Sequence, residues 1–121
     1  MKSPQSTPPS DEFRERFGIN LRECRKQKGI SQYELALRAE TALAAISLLE
    51  LGKTLPRLPT FIRLVGALGV RPSELVVGIQ WMPGETVVTP GSFDIPDEKD
   101  IAAEVAALRK RGYPPGRRAK R

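Results

Sequence analysis

The basic side chains at the C-terminal end of this sequence have the most recognisable chemistry. Residues 109–121 contain no acid and seven bases, which are Arg109, Lys110, Arg111, Arg117, Arg118, Lys120 and Arg121. Such a cluster attracts phosphate groups without reading sequence, and the attraction weakens steeply with salt. The alternative is a solvated tail that only keeps the chain soluble. Over the whole chain 20 bases outnumber 14 acids, and the net charge of +6 favours partners that carry phosphate or an acidic surface.

Residues for catalysis or metal binding are scarce. The chain has no histidine and one cysteine, Cys24, which excludes an intramolecular disulfide and a multi-cysteine zinc site. Cys24 falls on an apolar helical stripe, so a buried and inert side chain is favoured over a reactive thiol. No nucleophile, base or metal cluster can be assembled from the other residues. We therefore expect a protein that is not an enzyme and needs no cofactor.

Composition divides the chain into one domain and its extensions, since 121 residues suit a single core. The opening MKSPQSTPPS is polar and proline-rich, which predicts a disordered tail over residues 1–10 and argues against a secretion signal. No apolar run reaches about 18 residues, so we expect no membrane span and a cytoplasmic protein. The predicted parts after the tail are a domain over 11–80, a Pro/Gly-rich linker over 81–96, a single amphipathic helix over 97–112 and a basic tail over 113–121.

Five short helices are predicted in the domain, because apolar residues recur at helical spacing between the breakers KGIS, RAETA, GKTLPRLP and GVRPS. Ser31 is expected to cap the second helix, with Glu34 completing a capping box. Glycines are expected to end the first, third and fourth helices, and Pro72 to begin the fifth. The predicted core consists of Phe13, Phe17, Leu21 and Cys24 from the first helix, Leu35, Ala36 and Ala39 from the second, Ile46 and Leu49 from the third, and Leu58, Phe61, Val65 and Leu68 from the fourth.

The runs LRECRKQKGISQYELALRA, ISLLELGK and LPTFIRLVGALGVRPSELV resemble the XRE helix-turn-helix family, which includes Cro and the phage repressors, over about residues 13–78. The matching positions are Gln32 in the Ser-Gln that opens helix two, Ala36 where helices two and three cross, Ile46 on the inner side of helix three, and Glu50, Gly52 and Lys53 in its Glu-x-Gly-Lys end. The resemblance implies an all-α, compact five-helix domain. It also implies a transcriptional regulator that binds double-stranded DNA as a dimer on a two-fold site.

Two further features follow from the resemblance. Phosphate contacts in the family come from the start of helix two and the loop after helix three, where this chain has Gln32, Lys53 and Arg57. Arg25 and Glu50 are implied to form an ion pair between helices one and three. Because desolvation offsets most of the Coulomb energy, such a pair fixes the angle between the helices more than it adds stability. The alternative is that both are solvated surface charges.

Base reading in the family uses polar side chains at the front of helix three, where this chain has Leu43, Ala44, Ser47 and Leu48. Direct readout is then limited to apolar contact with thymine methyl groups and to the hydrogen bonds of Ser47. The preceding turn departs from the family too, since Glu40 stands where Gly is common and Ala42 where Ser or Thr caps the helix. Thr41 is therefore expected to cap helix three one residue early and to lengthen it.

Helix three is expected to expose an apolar patch on its outer side. The patch consists of Leu43, Leu48 and Leu51 with Ala44 and Ala45. Three explanations are open, namely contact with DNA, a homodimer or another protein partner, and cover by the C-terminal segment. The predicted helix over 97–112 has a thin stripe of Ile101, Val105 and Leu108 and is expected to form only when docked. The alternative function is accordingly a protein-interaction module that keeps the helix-turn-helix fold.

Overall fold

A computed structural model describes residues 11–95 of the chain, and the predicted segments 1–10, 97–112 and 113–121 lie outside these residues. Within the described range there are five helices and one two-stranded antiparallel sheet. The elements are α1 Asp11–Gln27, α2 Gln32–Ala39, α3 Leu43–Glu50, α4 Leu58–Leu68, α5 Pro72–Leu75, β1 Gln80–Met82 and β2 Ser92–Asp94. The predicted five-helix fold is thus confirmed. From residue 11 to residue 95, every helix is too short or too polar to span a bilayer.

The helix ends follow local sequence signals. The Ser31 hydroxyl accepts a hydrogen bond from the Glu34 backbone N–H at 3.0 Å, which confirms the predicted cap of α2. The Glu34 carboxylate pairs with Arg38 one turn further along α2. Gly69 ends α4 with a φ of 68°, a left-handed conformation that glycine adopts without steric cost. Pro72 begins α5 as predicted, because its missing N–H has no partner to lose at that position.

The core lies between the first four helices and α5. Its buried members are Phe17, Leu21, Cys24, Leu35, Ala36, Ala39, Ile46, Leu49, Leu64, Leu68, Val70 and Leu75. The first three helices bury almost all of the predicted residues, including Cys24, whereas Phe13 is half-buried. The buried Cys24 thiol acts as a packing group in this setting.

The prediction for α4 is partly wrong. Leu58 is 71% exposed, while Leu64, which the prediction omitted, is fully buried. At about 100° per residue, Leu64 and Leu68 share the inner side of the helix, and Leu58 lies about 120° away from Leu64. Phe61 and Val65 flank this inner stripe and are half-buried. The inner stripe is therefore rotated from the predicted one.

Part of the predicted linker over 81–96 is regular structure, because β1 and β2 form a hairpin across it. Trp81 stands opposite Phe93 in the register, and their rings meet edge to face at 5.0 Å between centroids. Phe93 in turn meets the ring of Phe13 on α1 at 4.7 Å. The side-chain amide of Asn20 on α1 donates to the Leu75 and Val77 carbonyls at 3.2 and 3.0 Å. The end of α5 is thus hydrogen-bonded to α1, and the hairpin packs against α1 through its aromatic rings.

Candidate nucleic-acid interface

The third helix is held rigidly against α1. Its inward side chains Ile46 and Leu49 are buried in the core. Gly18 of α1 faces the C-terminal end of α3, where a Cβ on this glycine would lie 2.5 Å from the Leu49 carbonyl oxygen. Because only a hydrogen atom fits there, the two helices cross in backbone contact. The orientation of α3 therefore depends on direct packing against α1.

Arg25 and Glu50 form the ion pair between α1 and α3. The guanidinium donates from Nε to Glu50 Oε2 at 2.7 Å and from Nη2 to Oε1 at 3.0 Å, a two-pronged geometry. Its Nη1 donates to the Ile30 carbonyl at 2.9 Å. The side chains are only 13% and 4% exposed, so the alternative of two solvated charges does not apply. Hydrogen bonding to Glu50 raises the pKa of Arg25 above its ordinary value, although burial opposes this rise.

Two of the predicted DNA-contacting residues extend this ion pair into a network. Gln32 donates from Nε2 to Glu50 Oε1 at 2.9 Å, and Ser47 donates from Oγ to Gln32 Oε1 at 2.9 Å. The sequence reasoning missed this connection. A usable signal was the spacing of Ser47 and Glu50, since residues three apart on a helix face the same neighbour. The network ties α1, α2 and α3 together at one point.

The outer side of α3 is apolar. Leu43 is 45% and Leu48 is 42% exposed, Leu51 just beyond the helix is 67% exposed, and Ala44 is exposed between them. We call Leu43, Ala44, Leu48 and Leu51 the apolar face. Ala45, which was expected in this patch, is half-buried. Ser47 is half-buried within the same surface, with its hydroxyl hydrogen directed to Gln32.

The turn before α3 contains a strained residue. Glu40 adopts φ 55° and ψ 50°, the left-handed conformation that the resemblance associates with glycine. The Thr41 N–H donates to the Ala36 carbonyl at 3.0 Å, and Arg63 of α4 donates to the Ala39 carbonyl at 2.8 Å. These bonds close the C-terminal end of α2 and hold the turn.

The predicted cap of α3 by Thr41 is wrong. The N-cap residue is Ala42, which has extended backbone geometry, and α3 begins at Leu43. An alanine has no side-chain acceptor for the first N–H groups of the helix. The left-handed Glu40 sets where the chain can re-enter helical geometry, so α3 is shorter than predicted.

The loop after α3 presents the other predicted phosphate contacts. Lys53 and Arg57 are both exposed, and Arg57 is the N-cap residue of α4. Gly52, with a φ of 75°, directs the chain away from α3, and a Cβ there would lie 3.0 Å from the Glu15 Cα on α1. The Lys53 N–H donates to the Leu48 carbonyl at 3.0 Å, which anchors the loop to the end of α3. Both basic side chains therefore extend from a backbone that is held in place by these contacts.

In the part of the chain that the structure describes, no group of three or more cysteine and acidic side chains is placed to hold a metal ion. The arrangement consists instead of an outward helix, two exposed cations on a fixed loop and the N-terminal end of α2. These are features suited to contact with a large polyanionic surface.

Comparison with known proteins places this arrangement among helix-turn-helix proteins. A family model described as helix-turn-helix matches residues 21–75. A restriction-modification controller protein from Aeromonas hydrophila is 34% identical, with 51% of this chain covering 94% of that chain at a TM-score of 0.50. The clp gene regulator from Corynebacterium glutamicum is 28% identical, with 54% of this chain covering 84% of that chain at a TM-score of 0.51.

A third solved structure is a hypothetical transcription factor from Neisseria. It is 27% identical, with 61% of this chain covering 86% of that chain at a TM-score of 0.51. Comparison with curated proteins gave no match. The solved structures thus correspond to the helical domain, and most of their own length is represented in this chain.

Proposed function

This chain belongs to the XRE-type helix-turn-helix family of DNA-binding transcriptional regulators, and on that premise we propose that its α3 enters the major groove of double-stranded DNA. The observation that carries the proposal is the outward side of α3, which projects from the domain while Ile46 and Leu49 anchor its other side. A regulator of this kind acts by occupying DNA and performs no catalysis. We place it in the cytoplasm with the DNA that it binds.

Phosphate contacts flank α3 on both sides in this proposal. Lys53 and Arg57 extend from the loop after α3, and the backbone N–H groups at the start of α2 add the positive end of a helix dipole. Gln32 stands at this start, and its amide carries a second hydrogen beside the one donated to Glu50. These groups would fix the position of the protein on the duplex and read no sequence.

Bases would be contacted by Leu43, Ala44, Ser47 and Leu48 of α3, of which Ser47 is half-buried and the other three are exposed. A second protomer would place another α3 one helical turn of DNA away, as a two-fold site requires. The relatives support the regulatory role of this fold, since they are a controller protein, a gene regulator and a hypothetical transcription factor.

A binding titration at several salt concentrations tests the proposal. The full chain is compared on a duplex selected from a genomic pool and on random duplex DNA of the same length. We expect tighter binding to the selected duplex, with affinity for both falling as salt rises. Changing Lys53 and Arg57 to Ala should weaken both complexes alike and reduce the salt slope by about two. Equal affinity of the parent for both duplexes would rule out sequence-specific binding.

A second candidate function is supported by the apolar face itself. Three exposed leucines on a short stretch form the kind of surface through which soluble domains bind proteins. In this candidate the fold serves as an interaction module, and the partner is a second copy of the chain or another protein.

Changing Leu43 and Leu48 to Gln separates the two candidates. Both side chains are outside the core, so the variant should keep the fold of the parent, which a thermal melt checks. If α3 contacts DNA, the variant should select different sequences at unchanged oligomeric state. If α3 binds protein, the variant should lose self-association or a co-purifying partner and keep its non-specific DNA affinity. Light scattering and sequence selection on the same preparations measure both outcomes.

A further inference from the structure

We propose that α3 reads the C5-methyl group of pyrimidines, so that the protein prefers thymine and 5-methylcytosine to uracil and cytosine at the positions facing Leu43 and Leu48. The inference rests on the proposed binding of DNA by α3 and adds the chemical group that is recognised. It makes cytosine methylation a signal to which binding responds.

Among Leu43, Ala44, Ser47 and Leu48, Ser47 has the one side-chain hydrogen-bond donor, and this donor is already engaged inside the protein. The Ser47 hydroxyl hydrogen is donated to Gln32, and Gln32 donates to Glu50. Turning the Ser47 hydrogen toward a base would leave the half-buried Gln32 carbonyl without this bond, which costs as much as the new bond contributes. Direct readout through this donor is therefore disfavoured. The Ser47 oxygen can still accept a hydrogen bond, and the side chains of Leu43, Ala44 and Leu48 are hydrocarbon.

The exposed leucines are placed to act together. At about 100° per residue, Leu43, Ala44, Ser47 and Leu48 fall within an arc of about 140°, opposite the buried Ile46 and Leu49. Leu43 and Leu48 are each somewhat less than half exposed, so each residue is already partly packed on the domain. Less rotamer freedom is consequently lost when they contact a ligand. The small side chain of Ala44 leaves space for a base edge between them.

The group that fits such a surface is a methyl that projects into the major groove. Thymine carries it at C5, and 5-methylcytosine carries the same methyl at the same atom of a C·G pair. Uracil and cytosine lack it and present a polar edge with less apolar area. Burial of one methyl group corresponds to about a four-fold change in Kd. Two contacted methyl groups should therefore change Kd by about fifteen-fold.

Replacement of thymine by deoxyuracil tests the proposal on the full chain. The probe is a duplex that the protein selects from a random pool, made with thymine or with deoxyuracil at each position in turn. We expect about a four-fold loss of affinity at each contacted thymine. In a variant with Leu43→Ala and Leu48→Ala, the thymine and uracil duplexes should bind equally. Leu37→Ala removes an exposed leucine from α2 and should keep the difference.

Cytosine methylation provides the second part of the test. At a contacted position, changing T·A to C·G should weaken binding, and methylating that cytosine at C5 should recover about four-fold. Selective binding that is indifferent to both methyl groups would overturn the inference and leave the proposed DNA binding standing. If the parent selects no sequence at all, the inference fails together with sequence-specific binding. A thermal melt of each variant confirms that the fold is retained.

Discussion

Single residues decide how α3 is presented, and the network of Arg25, Glu50, Gln32 and Ser47 is the main example. Each member has a partner on another helix, so loss of one leaves a buried polar group without its bond. The direct contribution of the ion pair to stability is small, because desolvation of both charges offsets their attraction. Its physical effect is to hold the three helices at fixed angles, which the proposed contact of α3 with bases requires.

Arg25→Ala is expected to lower the free energy of unfolding by about 3 kcal/mol, because it leaves the buried Glu50 carboxylate with Gln32 as its remaining side-chain partner. Urea denaturation followed by circular dichroism measures the change. Arg22→Ala, at an exposed position of the same helix, is the matched control and should change stability by less than about 0.5 kcal/mol. Equal effects of the two substitutions would show that the pair has no structural role.

Glu40→Gly is expected to raise the free energy of unfolding by about 0.5 to 1 kcal/mol. Relief of the left-handed backbone is favourable, and the greater chain entropy of glycine in the unfolded state cancels part of the gain. Glu40→Ala removes the same charge and keeps the Cβ, so it should give no such gain. Thermal melts of both variants provide the comparison, and a stabilised alanine variant would assign the effect to charge instead of strain.

At the scale of elements, the hairpin depends on its contact with α1. A two-stranded sheet is only marginally stable by itself in water, and each strand of this one is only three residues long. Phe93 lies between Trp81 of the facing strand and Phe13 of α1, which joins the hairpin to the helical domain. Gly91 lets the Trp81 ring lie against the backbone, since a Cβ there would overlap the ring.

Phe93→Ala is expected to release the hairpin while the helices stay folded. The lost ring contacts correspond to about 2 kcal/mol, which exceeds the stability that a short hairpin has by itself. Trp81 is the chain's single tryptophan, so its fluorescence should shift to the red and amide exchange over 80–94 should accelerate. Val87→Ala, at a side chain 93% exposed in the connecting loop, should leave both signals unchanged. Unfolding of the helices together with the hairpin would show that the two form one cooperative unit.

At the scale of the whole molecule, charge is the property that acts at a distance. The net charge of +6 attracts a polyanion before any specific contact forms, and seven of the bases lie in the last 13 residues. Attraction of this kind is independent of sequence and would add to the contacts proposed for the helical domain.

Replacing residues 109–121 by a Gly/Ser segment of equal length should weaken binding to all duplexes by the same factor and flatten the salt dependence. Each lost phosphate contact should reduce the slope of log K against log salt by about 0.9. The ratio of affinities for selected and random DNA should stay constant. A slope unchanged from that of the parent would show that the tail makes no contact with DNA.

The sequence by itself determined what depends on near neighbours. Ser31 and Pro72 mark helix starts through their own backbone chemistry, and the inward Ile46 and Leu49 follow from helical spacing. The outward Leu43 and Leu48 are predicted by the same spacing, because the side opposite a buried stripe faces solvent. The resemblance of the motifs and their spacing to the family also predicted the fold and the general function of DNA binding.

Only the tertiary structure decided what depends on distant partners. Leu64 is buried in the core where Leu58 was predicted. The packing of α4 against α2 selects one of several nearly equivalent apolar stripes of α4. Residues 80–94 became a hairpin because Phe13, far away in sequence, supplies the apolar surface that turn-rich segments lack. Gln32 and Ser47 are hydrogen-bonded because α2 and α3 cross there; helical spacing places Ser47 and Glu50 on one side of α3 but does not identify their partner on α2. Local rules act through the backbone of a few residues, whereas packing and buried hydrogen bonds depend on the surroundings that the whole fold creates.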